Sequence, residues 1–370
     1  MTALDSKDAL ASLRVPYWDP ETEEELVCRA VRDETADVRS CTFSARAPRR
    51  FTYLPGQFIT FEIPLDGGTV QRSYTIASTP TRPHSLTITV KRVPGGPVSN
   101  WLHDQLRPGM ALRASGPLGS FSAALHPARK YLFLSAGSGI TPLMSMARAH
   151  FDLGDPADIL FVHSARSPAD LIFRAELAEL ARGRGSFRSI AFCEADSPGE
   201  SWNGLRGRLS LPALRLVAPD FLERTVFTCG PAPYMAAVRA ILDEAGFDRA
   251  RYHEESFDFG AESVAETVAA EPPATASAPE AEATGYTITF TKSQRSVTCG
   301  PETTILDAAR RAGMRLPSSC AKGVCGTCKS RKTEGSVAMP QAGGIRQREI
   351  DQGMILLCCA KPTSDVTIER

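Results

Sequence analysis

Ten cysteines occur in the 370 residues, and four of them, Cys320, Cys325, Cys328 and Cys358, follow the spacing C-x4-C-x2-C-x29-C. No other pattern in the chain limits its fold so sharply. Three thiolates crowded into one loop, with a fourth far along the chain, can enclose a 2Fe-2S cluster. A structural zinc site is the alternative, but zinc ligands usually fall into two short pairs, and here one ligand stands alone. Gly323 and Gly326 let the backbone turn tightly about the sulfurs, and Ala321 and Thr327 are small enough to leave room for them. A chain that carries such a centre moves single electrons.

Residues 286–370 therefore resemble a plant-type ferredoxin domain, which implies an α+β (β-grasp) fold. The resemblance also selects among neighbours. Cys359 adjoins the proposed fourth ligand, but the family places that ligand after an apolar strand end and four residues before a proline. Ile355-Leu356-Leu357-Cys358 with Pro362 fits this.

The remaining length needs more than one core. At 42% apolar residues the composition is that of an ordinary soluble protein. Asp5, Lys7 and Asp8 interrupt the start, so no secretory signal is expected. The longest uncharged run, Tyr131 to Ala147, is too polar and glycine-rich to cross a bilayer. Ten cysteines, four of them committed to iron and the other six under no need to pair, point to a reducing, cytoplasmic setting. Net charge is zero, and neither a nucleic-acid nor a membrane partner is expected. The charge is nevertheless uneven. Residues 254–284 carry 8 acidic and no basic groups, whereas residues 286–370 carry 13 basic and 7 acidic. Arg315, Lys322, Lys329, Arg331 and Lys332 lie close to the cysteine loop, as a docking face for an acidic partner would require.

Composition and periodicity divide the chain. Residues 1–25 are polar, broken by Pro16 and Pro20, and read as an N-terminal extension to which the sequence assigns no role. Residues 26–128 hold short strands (56–63, 73–76, 86–93 and 110–114) between Gly and Pro turns, as in an antiparallel β-barrel. Residues 129–258 alternate strands (131–134, 159–163, 189–192, 225–228, 252–257) with helices after Pro142, over 168–181 and over 233–245. That alternation predicts an α/β domain with a parallel sheet. Residues 259–285, almost wholly Ala, Glu, Pro, Thr and Ser, read as a flexible linker. Such a tether would keep the 286–370 domain at high local concentration.

Within the barrel, Arg72-Ser73-Tyr74-Thr75 supplies a cation for a phosphate, a ring to lie on an isoalloxazine and hydroxyls near its reactive edge. Pro55-Gly56-Gln57-Phe58 precedes it. Gly96-Pro97-Val98-Ser99-Asn100-Trp101-Leu102 follows, where amides at a helix start suit a pyrophosphate. These motifs, in this order, resemble the ferredoxin-NADP reductase superfamily over residues 26–258. The resemblance implies that Tyr74 stacks on the flavin, Thr75 bonds its hydride-accepting edge, and Arg72 with Ser99 holds phosphates. Ser73, Gly96 and Val98 complete the flavin set. The glycine-rich segment after Arg92 favours FAD, with FMN the alternative. Gly116-Pro117-Leu118-Gly119 resembles the family's barrel-closing turn.

After the apolar strand Tyr131-Leu132-Phe133-Leu134 comes Ala136-Gly137-Ser138-Gly139-Ile140-Thr141-Pro142. A strand, a glycine turn and a helix start make an anion site for a dinucleotide. The set is Gly137, Ser138, Gly139, Thr141 and Pro142. By the same resemblance Cys229, in Cys229-Gly230-Pro231, lies beside the nicotinamide, and Glu255 and Phe257 match a terminal Glu-x-Phe next to the flavin. Thr75, Cys229 and Glu255 are thus the candidate catalytic residues. Ser164, Arg166 and Ser167 follow the second strand, where the adenosine ribose would rest. NADH is expected, with NADPH the alternative.

The parts form an electron converter: NADH to FAD to a 2Fe-2S cluster to an external acceptor. The six histidines are isolated in sequence, so no oxygenase centre is built in. The domain order resembles reductase components of Rieske-type oxygenases that demethylate quaternary amines such as glycine betaine, carnitine or stachydrine. Hybrid-cluster-protein reductases share the layout. A non-catalytic electron-transfer subunit of a permanent complex is the competing class.

Overall fold

The computed structural model describes residues 15–19, 25–65, 68–256, 285–314, 316, 323, 328–341, 345 and 347–370. The chain forms two compact units, Met1–Phe257 and Asp258–Arg370.

In the first unit, six strands make an antiparallel barrel: β1 (Glu25–Thr35), β2 (Val38–Ala45), β3 (Phe58–Leu65), β4 (Gly68–Thr75), β5 (Leu86–Lys91) and β6 (Ala111–Leu118). Their order is β4-β3-β6-β1-β2-β5. A bridge between Ile76 and Ile88 links the two ends of that order. Side chains alternate in and out along each strand, so Cys41 and Phe43 on β2, and Ile59, Phe61 and Ile63 on β3, fill the interior. Helix α1 (Pro97–Asp104) caps this core with Val98 and Leu102.

Residues 15–19 of the N-terminal segment pack on this unit. Trp18 is buried, its ring 5.3 Å from that of Phe51, and Val15 to Asp19 run beside Arg50. Trp18 N donates to Arg50 O at 2.9 Å, and Arg50 N donates to Pro16 O at 2.9 Å. Among the described residues this segment pairs with Arg50, a partner too distant in sequence to signal it.

The second half of the unit is a parallel sheet, order β10-β9-β8-β7-β11-β12. Its strands are β7 (Lys130–Ala136), β8 (Asp158–Ala165), β9 (Phe187–Cys193), β10 (Leu205–Arg206), β11 (Thr225–Gly230) and β12 (Tyr252–Ser256). Helices α2 (Ile140–Asp152) and α3 (Arg174–Gly183) cover one face; α4 (Leu211–Val217) and α5 (Ala232–Glu244) cover the other. The helix expected over 168–181 is broken. Phe173 takes φ 56° and buries its ring, so α3 starts only at Arg174.

In the second unit, β13 (Tyr286–Phe290) and β14 (Arg295–Cys299) form a hairpin. With β15 (Lys329–Glu334), β17 (Met354–Leu356) and β19 (Val366–Ile368) they make a five-stranded sheet, order β14-β13-β19-β15-β17. The short strands β16 (Val337–Ala338) and β18 (Lys361–Pro362) pair with each other. Helix α6 (Ile305–Arg311), started by Thr304 accepting from Asp307 N, packs Ile305 and Leu306 on the sheet, and α7 (Gln347–Asp351) follows. The parallel pairing of β13 with β19 inside an otherwise antiparallel arrangement is the β-grasp topology expected from the cysteine loop.

Candidate functional site

The strand order of the parallel sheet reverses at β7. From there β8, β9 and β10 run to one side, and β11 and β12 to the other. Ligands of such sheets bind outside the carboxyl ends of the strands at this switch point. Both sequence-predicted nucleotide motifs end there. Gly137 to Gly139 form a 3-10 turn between β7 and α2, with Gly137 at φ 52°, and Thr141 Oγ1 donates to Ser138 O at 3.0 Å. Pro142 sits in the first turn of α2, where its missing N–H costs nothing. Gly139 has no room for a side chain, since a Cβ there would stand 2.3 Å from the carbonyl oxygen of Cys229. The turn therefore lies against the end of β11, and Pro231 caps α5 just beyond Gly230.

Register then assembles a row across the sheet. Glu255 pairs with Cys229, Cys229 with Ser135, and Ser135 with His163. Paired residues of parallel strands point to the same face. Cys229 is fully buried, and burial raises its thiol well above its ordinary range. Glu255 Oε2 is sealed from solvent without a hydrogen-bond partner among the described residues, and burial pushes the carboxyl up to about 8. An orphaned buried acid at a ligand crevice fits a group that arrives with its own polar edge. Ser135 and His163 escaped the sequence reading. Their hydroxyl and Nδ1 are 2.8 Å apart in the sheet interior, and burial lowers the imidazole to about 4. Their signal was a polar residue closing each of two otherwise apolar strands.

On the barrel, Arg72 to Thr75 lie on β4, where Arg72 and Tyr74 share one face and Ser73 and Thr75 the other. Tyr74 packs on the barrel core, and burial raises its phenol. Thr75 is buried opposite Phe58. Ser73 is tied to Thr60, hydroxyl to hydroxyl, at 2.8 Å. The Gly96–Ser99 segment opens α1, but two side chains turn inward. Val98 belongs to the core, while Ser99 Oγ accepts from Val93 N at 3.0 Å and donates to Gly96 O at 3.2 Å. What this segment offers a pyrophosphate is main-chain N–H, which the first turn of a helix leaves without intrahelical acceptors.

In the second unit the structure brings Cys328 and Cys358 together: Cys358 N donates to Cys328 Sγ at 3.4 Å, and Gly323 N donates to Cys358 Sγ at 3.2 Å. Amides aimed at sulfur suit thiolates that hold iron. Cys359 faces the other way, its thiol donating to Leu356 O at 3.7 Å within the core. Cys320, Cys325 and Phe257 lie outside the described residues, as do residues 259–284 of the linker, Arg315 and Lys322. Of the remaining basic candidates, Lys329 is taken up by Glu349 at 2.6 Å and Lys332 by Gly335 O at 2.6 Å.

The histidines, isolated in sequence, are not all isolated in space. His126 and His253 stack with centroids 3.7 Å apart, because pairing of β12 with β11 carries His253 back beside the segment that follows the barrel. Parallel imidazole planes do not converge their lone pairs on one point, so this pair is not a metal site. Among the described residues no helix is long and apolar enough to cross a membrane.

A flavin-type barrel, a nucleotide crevice at a sheet switch point and a β-grasp unit with facing cysteines define a pyridine-nucleotide oxidoreductase with an iron-sulfur domain. The comparisons agree. Residues 26–123 match the oxidoreductase FAD-binding domain family, residues 133–240 the oxidoreductase NAD-binding domain family and residues 288–363 the 2Fe-2S iron-sulfur cluster binding domain family. The chain is 48% identical over 343 residues to a glycine betaine monooxygenase reductase subunit of Pseudomonas aeruginosa, covering 92% of this chain and 94% of that one. It is 42% identical over 359 residues to a stachydrine N-demethylase reductase subunit of Rhizobium meliloti, covering 96% and 98%. Phthalate dioxygenase reductase shares the fold at TM-score 0.57 and 22% identity, over 95% of this chain and 100% of that one. The chain belongs to this family of oxygenase reductase subunits, which join FAD-, NAD- and 2Fe-2S-binding domains in one polypeptide.

Proposed function

We propose that this chain is the NADH-dependent reductase subunit of a Rieske-type oxygenase that demethylates a quaternary amine of the glycine betaine or stachydrine type, acting in the cytoplasm. The reductase class follows from the family, whose members pass electrons to an oxygenase partner. The substrate rests on near full-length similarity to two reductases named for such amines. The observation that carries the chemistry is the register row in which Cys229 lies between Glu255 and Ser135, against the Gly137–Gly139 turn.

Bound FAD supplies the exchange between two-electron and one-electron chemistry. The residues present fit it. Arg72 offers a planar fork of donors to a phosphate, Tyr74 a ring face, and the first turn of α1 its free amides. Glu255 keeps its proton at neutral pH and so acts as a hydrogen-bond donor at the crevice. Cys229, buried and held as a neutral thiol, closes the floor without adding charge. The glycine turn receives the nucleotide's pyrophosphate on main-chain N–H. Cys328 and Cys358, with Cys320 and Cys325, would hold the iron. Arg166 and Ser167, candidates for a 2'-phosphate, are both engaged by Asp170, at 2.6 and 2.7 Å, which supports NADH.

The test uses the purified chain at full flavin and iron occupancy. NADH should support cytochrome c reduction better than NADPH. Formaldehyde should appear from glycine betaine or stachydrine only when the matching oxygenase is also present. Inactivity with both nucleotides would sink the reductase reading. Activity with cytochrome c but with no quaternary-amine oxygenase would remove the substrate assignment alone.

A further inference from the structure

One face of helix α2 is committed to the barrel, although α2 belongs to the nucleotide half. Ser145, Arg148 and Asp152 are spaced i, i+3, i+7 and so share a side of the helix. Each bonds the segment that leaves β4. Ser145 Oγ donates to Ser78 O at 2.6 Å, Arg148 Nη1 donates to Ala77 O, and Asp152 accepts from Thr81 at 2.5 Å and from Arg82 Nη2 and Nε at 3.0 and 3.1 Å. Arg148 is the centre of this contact. Its side chain is only 12% exposed, it makes a two-pronged pair with Glu176 of α3 at 2.7 and 2.6 Å, and its guanidinium lies 4.7 Å over the Phe173 ring. Phe173 is the residue held at φ 56°. One cation thus joins the barrel, α2 and α3.

What it joins is informative. Ala77 comes two residues after Thr75, at the end of the strand that carries Arg72, Tyr74 and Thr75, and its side chain is buried with the α2 core residues. The other end of α2 begins at the glycine turn beside Cys229. A rigid helix with one end at the nucleotide turn and one side fixed to the flavin strand sets the distance between the two halves of the crevice.

We propose that Arg148 is a positioning residue for the reaction between NADH and the flavin: by holding the Ala77 carbonyl and Glu176 together, it fixes the flavin strand relative to the nucleotide turn. The inference rests on the reductase reading above. The reaction aligned is loss of one hydride by NADH, which becomes NAD⁺; its two electrons and one hydrogen leave together, with the oxidised flavin as acceptor. Transfer of this kind depends steeply on alignment, and a misplacement of about 1 Å costs about 10²-fold in rate.

The experiment is anaerobic stopped-flow bleaching of the flavin by NADH in full-length holoenzyme. In Arg148→Met the limiting rate should fall about 10²-fold while the apparent NADH dissociation constant stays within about twofold, a split that separates alignment from binding. Flavin content and dithionite reduction of both centres should match the parent. An Arg148→Met protein with full flavin and the parental limiting rate overturns the proposal. If that variant fails to retain flavin, Ser145→Ala decides, because it removes a neighbouring bond to the same segment without stranding Glu176. A slowed limiting rate supports the proposal, and an unchanged one overturns it. A parent enzyme that NADH does not reduce would instead sink the reductase reading.

Discussion

The two edges of the parallel sheet treat buried polarity in opposite ways. At the edge where the strands begin, Arg224 is fully buried and every N–H group is answered. It bonds Asp220 at 2.8 and 3.0 Å, Asp158 Oδ2 at 2.7 Å, and the carbonyls of Tyr131 and Asp158 at 3.0 and 3.2 Å. Arg224, then Lys130, hold Asp220 down to about 2. At the edge where the strands end, Glu255 Oε2 and His163 Nε2 are buried without partners among the described residues. Burying a polar group unpaired costs about 1–3 kcal/mol. Such a cost is tolerated where a ligand completes the set, so the first edge is built for stability and the second for binding.

The cysteine pair of the second unit repeats the contrast on a smaller scale, and it gives the largest predicted effect. Cys358 faces Gly323 N and Cys328, whereas Cys359 bonds inward to Leu356 O. Cys328→Ser or Cys358→Ser should abolish the cluster's visible absorption, with flavin reduction by NADH retained. Cys359→Ser should keep the cluster. The reverse pattern, read by absorption and iron content, would break the assignment.

Next in size is the closed edge itself. Arg224→Met strands two carboxylates and should cost about 3–5 kcal/mol in denaturant unfolding, with flavin reduction per folded molecule little changed. Because Asp220 is held low, the ion pair's contribution is present above the ordinary carboxylate range and is lost as pH falls toward about 2. A catalytic loss without a stability loss would erase the distinction between the edges.

At the open edge, Gly139→Ala would drive a methyl group into the Cys229 carbonyl, 2.3 Å away. The turn must open, and NADH reduction should fall about 10²-fold at unchanged flavin content. Stopped-flow reduction checks this, and parental kinetics would mean that the turn does not carry the nucleotide.

How much of this was legible in sequence depended on whether a residue's partner was local. The glycine turn after β7 and the Arg72–Thr75 strand are local patterns, and each lies on the element expected; of the four spaced cysteines, Cys328 and Cys358 lie within the described residues and come together. The break at Phe173 was not legible, because the pattern over 168–181 is helical and only distant packing puts that ring under Arg148. Strands β1 and β2 carry no local pattern that marks them. Register shifts at Cys28/Ala30 and Asp33/Thr35 break the alternation of β1, and Arg29 and Arg32 lend it a loop-like polarity. Trp18 gives no local signal, because Pro16 and Pro20 frame it and its ring partner Phe51 lies far along the chain. The Ser99 hydroxyl closes its own turn. A motif shows which residues gather, whereas the direction of a side chain is settled by its neighbours.

The smallest effect predicted concerns Glu255, and it tests whether the open edge is open for the reason given. Burial raises the carboxyl to about 8, so the native state keeps a proton that the unfolded chain releases in the ordinary carboxylate range. Between that range and about pH 8 the unfolded state binds fewer protons, and this group therefore makes the ligand-free fold less stable as pH rises. Glu255→Gln keeps a buried donor but cannot ionise. Its stability should lose that slope, and flavin reduction by NADH should lose the inflection this carboxyl contributes while changing only about tenfold at neutral pH. Denaturant unfolding and stopped-flow rates across pH 5 to 9 measure both. If the Gln variant kept the slope and the inflection, the orphaned acid would not be the group that titrates, and the open edge would need another account.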